Sequence, residues 1–147
     1  MIELNADRLI RQDPSEAVDL LLAQPESQWF ERKSGRISAR DLAVPLVAMA
    51  NAEGGTVAVG LSHGTADGVT PRRANELRQA AADFTEPVVR TRASQISLPG
   101  SPDARVILLF TVAPGSHAHQ TTSGECYLRI GDESRKLGFA ERQELEY

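Results

Sequence analysis

The residues of this chain best equipped for chemistry are three carboxylates and a run of cations. Glu26 and Glu31 stand five apart in PESQWFERKSGR, and Asp67 follows in the polar loop SHGTADGVT. Carboxylate oxygens suit a hard divalent cation, so these three side chains would hold Mg²⁺ or Mn²⁺ for phosphodiester hydrolysis. A bend followed by a strand brings Glu26 and Glu31 to one site, but spacing alone does not carry Asp67 there. The plainer reading is a surface segment with Trp29 or Phe30 tucked in. Arg32, Lys33, Arg36 and Arg40 form a basic cluster able to track a phosphate backbone. Arg129, Arg135 and Lys136 extend that face if the last strand lies beside it; an ordinary solvated surface is the alternative. Trp29 and Tyr127 are of the type that stacks on bases, although aromatics in strands more often pack.

Other chemistries find less support. The chain has no phosphate loop ending in Lys-Ser or Lys-Thr, and no Gly-x-Gly-x-x-Gly opening a helix. His63, His117 and His119 have no cysteine pair beside them, which makes a metal-ligand spacing nonspecific. Ser62 precedes His63 without the strained elbow or third group that an activated nucleophile needs. Cys126 falls within a strand and reads as a core residue.

A chain of 147 residues with a 41% hydrophobic share suits one domain with one core. No apolar run approaches the roughly 20 residues that span a bilayer. Asp7, Arg8 and Arg11 interrupt any signal-peptide pattern, and a lone cysteine fits a reducing compartment, so a cytoplasmic protein is expected. The net charge of −4 argues against a generally basic nucleic-acid binder. Its distribution is uneven: residues 1–31 hold seven acids and two bases, and residues 32–92 hold nine bases and six acids. A local basic face is therefore compatible with an acidic chain.

The elements that must position these groups centre on residues 38–61, SARDLAVPLVAMANAEGGTVAVGL. Ser38 is an N-cap, Asp41 meets the positive helix end, and Leu42, Leu46 and Met49 share a face. Pro45 falls inside that helix and is expected to kink it. Asn51 closes the pattern, Gly54-Gly55 turns the chain, and Thr56–Val59 reads as a buried strand ending at Gly60. Before this block, residues 5–11 give a short helix or an extended lead-in. Asp13-Pro14-Ser15-Glu16 opens a short helix by capping box, and Trp29–Lys33 alternates as a strand. After it, Thr70-Pro71 opens a helix running to Phe84, and Val88–Thr91 is a strand that Ile96 and Leu98 extend or repeat. Pro99–Asp103 is a hairpin turn. Val106–Val112 is a central strand buried on both faces, Cys126–Ile130 is the last strand, and residues 131–134 turn into a helix over Phe139–Leu145. The expected fold is mixed α/β (α+β): a mixed or antiparallel sheet with helices packed on it. Residues 1–147 form a single domain with its core over about residues 20–140, read as the N-terminal part of a longer protein.

Four stretches together resemble the Schlafen-type AlbA_2 domain family. PESQWFERKSG is similar to its opening Glu…Glu-x-Lys element, at Glu26, Glu31 and Lys33. VAMANAEGGTVAVGL carries its Ala-x-Ala-Asn-x-x-Gly-Gly-x-x-x-x-Gly hallmark, at Ala48, Ala50, Asn51, Gly54, Gly55 and Gly60. The strand ending in VAP matches a third block, and GECYLRIGDESRKL a closing Tyr-x-Arg-x-Gly…Leu block at Tyr127, Arg129, Gly131 and Leu137.

The resemblance implies a bacterial domain found at the N-terminus of transcriptional regulators and ATP-binding proteins, with nucleic acid, DNA or RNA, as partner. In eukaryotic Schlafen relatives it implies a metal-dependent, three-carboxylate ribonuclease. The first two acids there are similar in placement to Glu26 and Glu31. The third follows the glycine-ended strand, where this chain has Leu61-Ser62-His63 and only Asp67 nearby. The chain is therefore expected to bind nucleic acid without cleaving it and without a cofactor, with Arg32, Lys33, Arg36, Arg40, Arg129 and Lys136 as contacts. Asn51, Gly54, Gly55, Gly60 and Gly131 are expected to be structural. The alternatives are a ribonuclease using Glu26, Glu31 and Asp67 with Mg²⁺ or Mn²⁺, a protein-interaction or homodimerising module, and part of an ATP-binding protein. No membrane partner is expected.

Overall fold

A computed structural model describes residues 4–146. In chain order the elements are α1 (Ala6–Leu9), α2 (Pro14–Ala23), β1 (Phe30–Lys33), α3 (Ala39–Ala50), β2 (Gly55–Val59), β3 (Leu61–Ser62) and β4 (Thr65–Ala66). There follow α4 (Pro71–Arg78), α5 (Ala80–Phe84), β5 (Thr85–Glu86), β6 (Thr91–Ser97), β7 (Val106–Val112), β8 (Gln120–Thr121), β9 (Tyr127–Ile130), β10 (Glu133–Lys136) and α6 (Phe139–Glu146). The main sheet has the order β1-β2-β7-β6. β1 and β2 are parallel, while β2–β7 and β7–β6 are antiparallel. The sheet is thus mixed, with helices on both faces.

Strand alternation sorts the core into two layers. Val57, Val59, Leu108 and Phe110 point to one face and pack with Leu42, Leu46, Met49, Leu77 and Ala81 of α3, α4 and α5. Phe30, Ala58, Ile107 and Leu109 point to the other and pack with Ala6, Leu9, Ala17, Val18 and Leu21 of α1 and α2. Both central strands are therefore buried on both sides, as the unbroken apolar run of β7 requires.

Local signals explain the boundaries. The Asn5, Asp13, Ser38 and Thr70 side chains cap the first turns of α1 to α4. Pro45 lies inside α3 without ending it. The α3–β2 turn needs its glycine: Gly54 has φ +79°, and a Cβ there would stand 2.6 Å from the Val112 carbonyl oxygen. Gly60 (φ +113°) lets β2 pass Gly68, whose Cα would lie 3.0 Å from an added Cβ.

Three expectations shift. The helix expected over 71–84 is interrupted at Gln79, giving α4 and α5. The expected 88–91 strand starts only at Thr91 and runs unbroken to Ser97; Pro87 has no N–H to offer a ladder, and of the residues before Thr91 the Arg90 carbonyl accepts the Ala113 N–H. The turn expected over 131–134 narrows to Gly131-Asp132, and Glu133–Lys136 forms β10, a hairpin partner of β9. Their polar side chains leave no alternation to detect.

Candidate functional site

The expected site residues sit around β1, and its two faces separate them. Glu31 and Lys33 pair in register with Val57 and Val59 and so face the α3 side; Arg32 pairs with Ala58 and faces α2. One surface built from Arg32, Lys33, Arg36 and Arg129 is therefore not what the fold assembles. Arg32 spends its guanidinium on α2: it donates to the Leu21 carbonyl at 3.1 Å and to the Gln24 carbonyl, satisfying the open end of that helix. Arg129, expected among the phosphate contacts, has a side chain with 0% exposure. Its Nη1 meets Glu31 Oε1 at 2.8 Å, Nε and Nη2 donate to the Ser27 carbonyl, and Nη2 also donates to the Phe30 carbonyl at 3.1 Å. The planar fork of donors suits this multiple capture, which ties the β9–β10 hairpin to the outer edge of β1.

The three carboxylates have separate employment. Glu26 accepts the Arg32 backbone N–H at 2.8 Å, on the edge of β1 that faces away from β2. Glu31 is held between Arg129 and Lys33, whose Nζ is 3.7 Å from Oε2. Asp67 Oδ2 accepts from the Ser34 hydroxyl at 2.7 Å and the Gly35 N–H at 3.0 Å, closing the loop after β1. Among the described residues no group of three or more His, Cys, Asp and Glu is placed to hold a metal ion. Arg129 engages Glu31 Oε1, and the Ser34 hydroxyl and Gly35 N–H engage Asp67 Oδ2, while Glu31 Oε2 and Asp67 Oδ1 are buried without a hydrogen-bond partner.

The exposed cations gather elsewhere. Arg73 donates to the Gly35 and Ile37 carbonyls at 2.9 and 2.5 Å, fixing the first turn of α4 on the loop that leads into α3. Arg36 lies between those two acceptors and is exposed, and Arg72 is exposed beside Arg73. Arg40, in the first turn of α3, is exposed with its guanidinium 5.1 Å from the centre of the Phe84 ring. Lys136 is exposed and pairs with Glu125 at 3.1 Å; Glu125 and Arg40 line the same small cleft. Lys33 is the half-buried member, at the end of β1.

The Asn51 amide does more than end a helix. Its Nδ2 donates to the His119 and Tyr127 carbonyls, each at 2.9 Å, and its Oδ1 accepts the His119 N–H at 2.7 Å. One side chain so stitches the end of α3 to β9 and to the loop before it. Buried His119 sets its Nδ1 2.6 Å from the Pro87 carbonyl, and Cys126 is buried beside it. Tyr127 donates its hydroxyl to Glu125 at 2.7 Å. That bond, then burial, pushes the Tyr127 pKa up to about 12, and the same bond together with Lys136 holds the Glu125 carboxyl below its usual range.

A second concave region opens at the other end of β1, around Trp29, Glu53 and Thr111, away from the three carboxylates. Only the reading of Trp29 as an aromatic of base-stacking type pointed there; the structure places it just before β1 rather than in the strand.

A four-stranded mixed sheet between helical layers, with Glu31, Asn51 and Arg129 knitted into its frame, defines a small α/β domain whose signature polar residues are architectural. The family model for Schlafen, AlbA_2 matches residues 26–138, and the chain belongs to that family. Among solved structures, the DIP2311 protein from Corynebacterium diphtheriae is similar in fold, with a TM-score of 0.58 at 20% sequence identity. The match covers 89% of this chain and 30% of that one, so the chain spans under a third of that protein's length. No curated protein matches. Among the described residues, no helix is long and apolar enough to cross a membrane.

Proposed function

We propose that this domain binds nucleic acid through phosphate contacts around the N-terminal turns of α3 and α4, and does not cleave it. The observation that carries this reading is the Arg73 clamp, which holds exposed Arg36 and Arg72, from two separate elements, in one place. Phosphate binding needs convergent cations and backbone donors, not a catalytic set. Arg40 and Lys136 extend the patch along α3, and Lys33 borders it. Arg32 and Arg129 contribute indirectly, by fixing the backbone that the patch rests on. The pairing of Glu31 with Arg129 supports binding without cleavage. The family resemblance supports a setting in a bacterial cytoplasmic regulator.

Fluorescence anisotropy with labelled single-stranded and duplex oligonucleotides at two salt concentrations tests the reading. Binding at low salt should weaken steeply as salt rises. Replacing Arg36 and Arg72 by Ala should lower affinity for every sequence and flatten the salt dependence by about one unit of slope per lost phosphate contact. No binding at low salt, or affinity indifferent to salt, overturns it. Intact RNA after incubation with Mg²⁺ or Mn²⁺ is the expected control.

A further inference from the structure

The cleft at the start of β1 has a volume of about 490 Å³, within the range of small-molecule sites. Its walls include Trp29, Phe30, Gln24, Glu53, Thr56 and Thr111. Trp29 is 47% exposed, and its Nε1 donates to Glu53 Oε2 at 3.1 Å, which fixes the ring and leaves Oε1 of that carboxylate open. Thr111 Oγ1 is buried with no hydrogen-bond partner, an uncommon condition for a hydroxyl.

Sheet register orders these groups. Phe30 pairs with Thr56, Thr56 with Thr111, and Thr111 with Arg92, so the four side chains form one row on one face. At about 4.8 Å per strand the row runs roughly 14 Å from an aromatic ring through two hydroxyls to a guanidinium. Arg92, at the far end of the row from Phe30, is 66% exposed and pairs with Asp7 at 3.0 Å.

Phe30 is buried and gives the row no open ring; the aromatic face exposed at that end of the cleft is the neighbouring Trp29. We propose that this cleft receives a single unpaired nucleobase of a bound strand, stacked on Trp29, with its N–H edge on Glu53. Resting on the nucleic-acid reading above, this deepens it: the partner is single-stranded, because a base inside a duplex cannot reach the indole. Guanine suits Glu53 best, since its adjacent N1–H and N2–H₂ donors present two parallel bonds to one carboxylate.

Trp29 is the chain's one tryptophan, so its fluorescence reports the cleft directly. The probes are an eight-nucleotide uridine strand carrying one guanosine, the same strand without it, a blunt duplex, and free GMP. Saturable quenching by the guanosine strand, weaker with uridine alone and absent with the duplex, is the expected result. Trp29→Ala, followed by anisotropy of a labelled strand, should weaken single-strand binding about tenfold and leave duplex binding unchanged. Glu53→Gln should erase the guanosine preference. Circular dichroism spectra matching the parent show that both variants fold. A strand that binds by anisotropy without changing Trp29 fluorescence overturns the cleft proposal and leaves the phosphate-patch reading standing. Absence of any strand binding removes both. Quenching by GMP but not by the strand overturns strand capture and makes the cleft a site for free nucleotides.

Discussion

The two ends of β1 use charge in opposite ways. At and beyond its middle, Glu31, Arg129, Lys33, Asp67 and Arg73 hold one another or the backbone, and Arg129 is sealed from solvent. At its start, the Trp29 indole and the Glu53 carboxylate bond to each other at an open cleft. Buried polar atoms without a hydrogen-bond partner occur at both ends, Thr111 Oγ1 here and Glu31 Oε2 and Asp67 Oδ1 there. Among the residues that carry the family resemblance, Glu31, Asn51 and Arg129 hold the frame together, and Trp29 and Glu53 lie outside that set. An ion pair taken out of water is costly to break and contributes little to binding; a half-exposed ring and carboxylate contribute little to stability and can still grip a ligand.

The largest effect that would break this contrast comes from the buried pair. Glu31→Ala or Arg129→Ala strands a charge in the interior and should cost about 3–5 kcal/mol in urea denaturation. The double variant Glu31→Leu, Arg129→Met should cost less than the sum of the two single variants. A loss under about 1 kcal/mol for either single variant would show the pair to be dispensable and Glu31 available for other work.

Asn51→Ala comes next. It leaves two carbonyls and one N–H around β9 unpaired, at about 1–3 kcal/mol per buried group. The expected loss is about 2 kcal/mol or more, measured by the same denaturation. Oligonucleotide affinity per folded molecule should not change, because the amide bonds His119 and Tyr127 rather than any residue of the cationic patch.

The smallest effect is in the pH profile. Tyr127 ionises near pH 12 in the folded chain against about 10 when unfolded. Its bond therefore contributes stability that is complete below pH 10 and lost as pH rises toward 12. Glu125 works in the opposite direction: its folded pKa is lowered, so its contribution is present above the unfolded value and lost as pH falls below that value. A phenolate absorbance titration should resolve one of the two tyrosines at the higher pH, and Tyr127→Phe should remove that step.

Much of the frame was legible because local physics announced it. The caps at Asp13, Ser38 and Thr70, the glycine turn at Gly54 and the apolar run of β7 all stand where their residue types demand. The site was less legible. Clustering in sequence suggested that Arg32 and Lys33 act together, yet the two-residue period of a strand sends neighbours to opposite faces. Arg129 carries the charge of a surface residue, and only the partner 98 residues away explains its burial. β10 has no apolar face, and its strand character comes entirely from β9.

One small contact has a wider consequence. The side of β1 turned away from β2 is an open strand margin of the kind that recruits foreign chains. Here the Glu26 carboxylate occupies the Arg32 N–H, and the Arg129 guanidinium occupies the Phe30 carbonyl. Two long side chains thus stand where a stranger's backbone would have to dock, and that flank of the molecule is closed to fibril-like stacking even in a crowded cell.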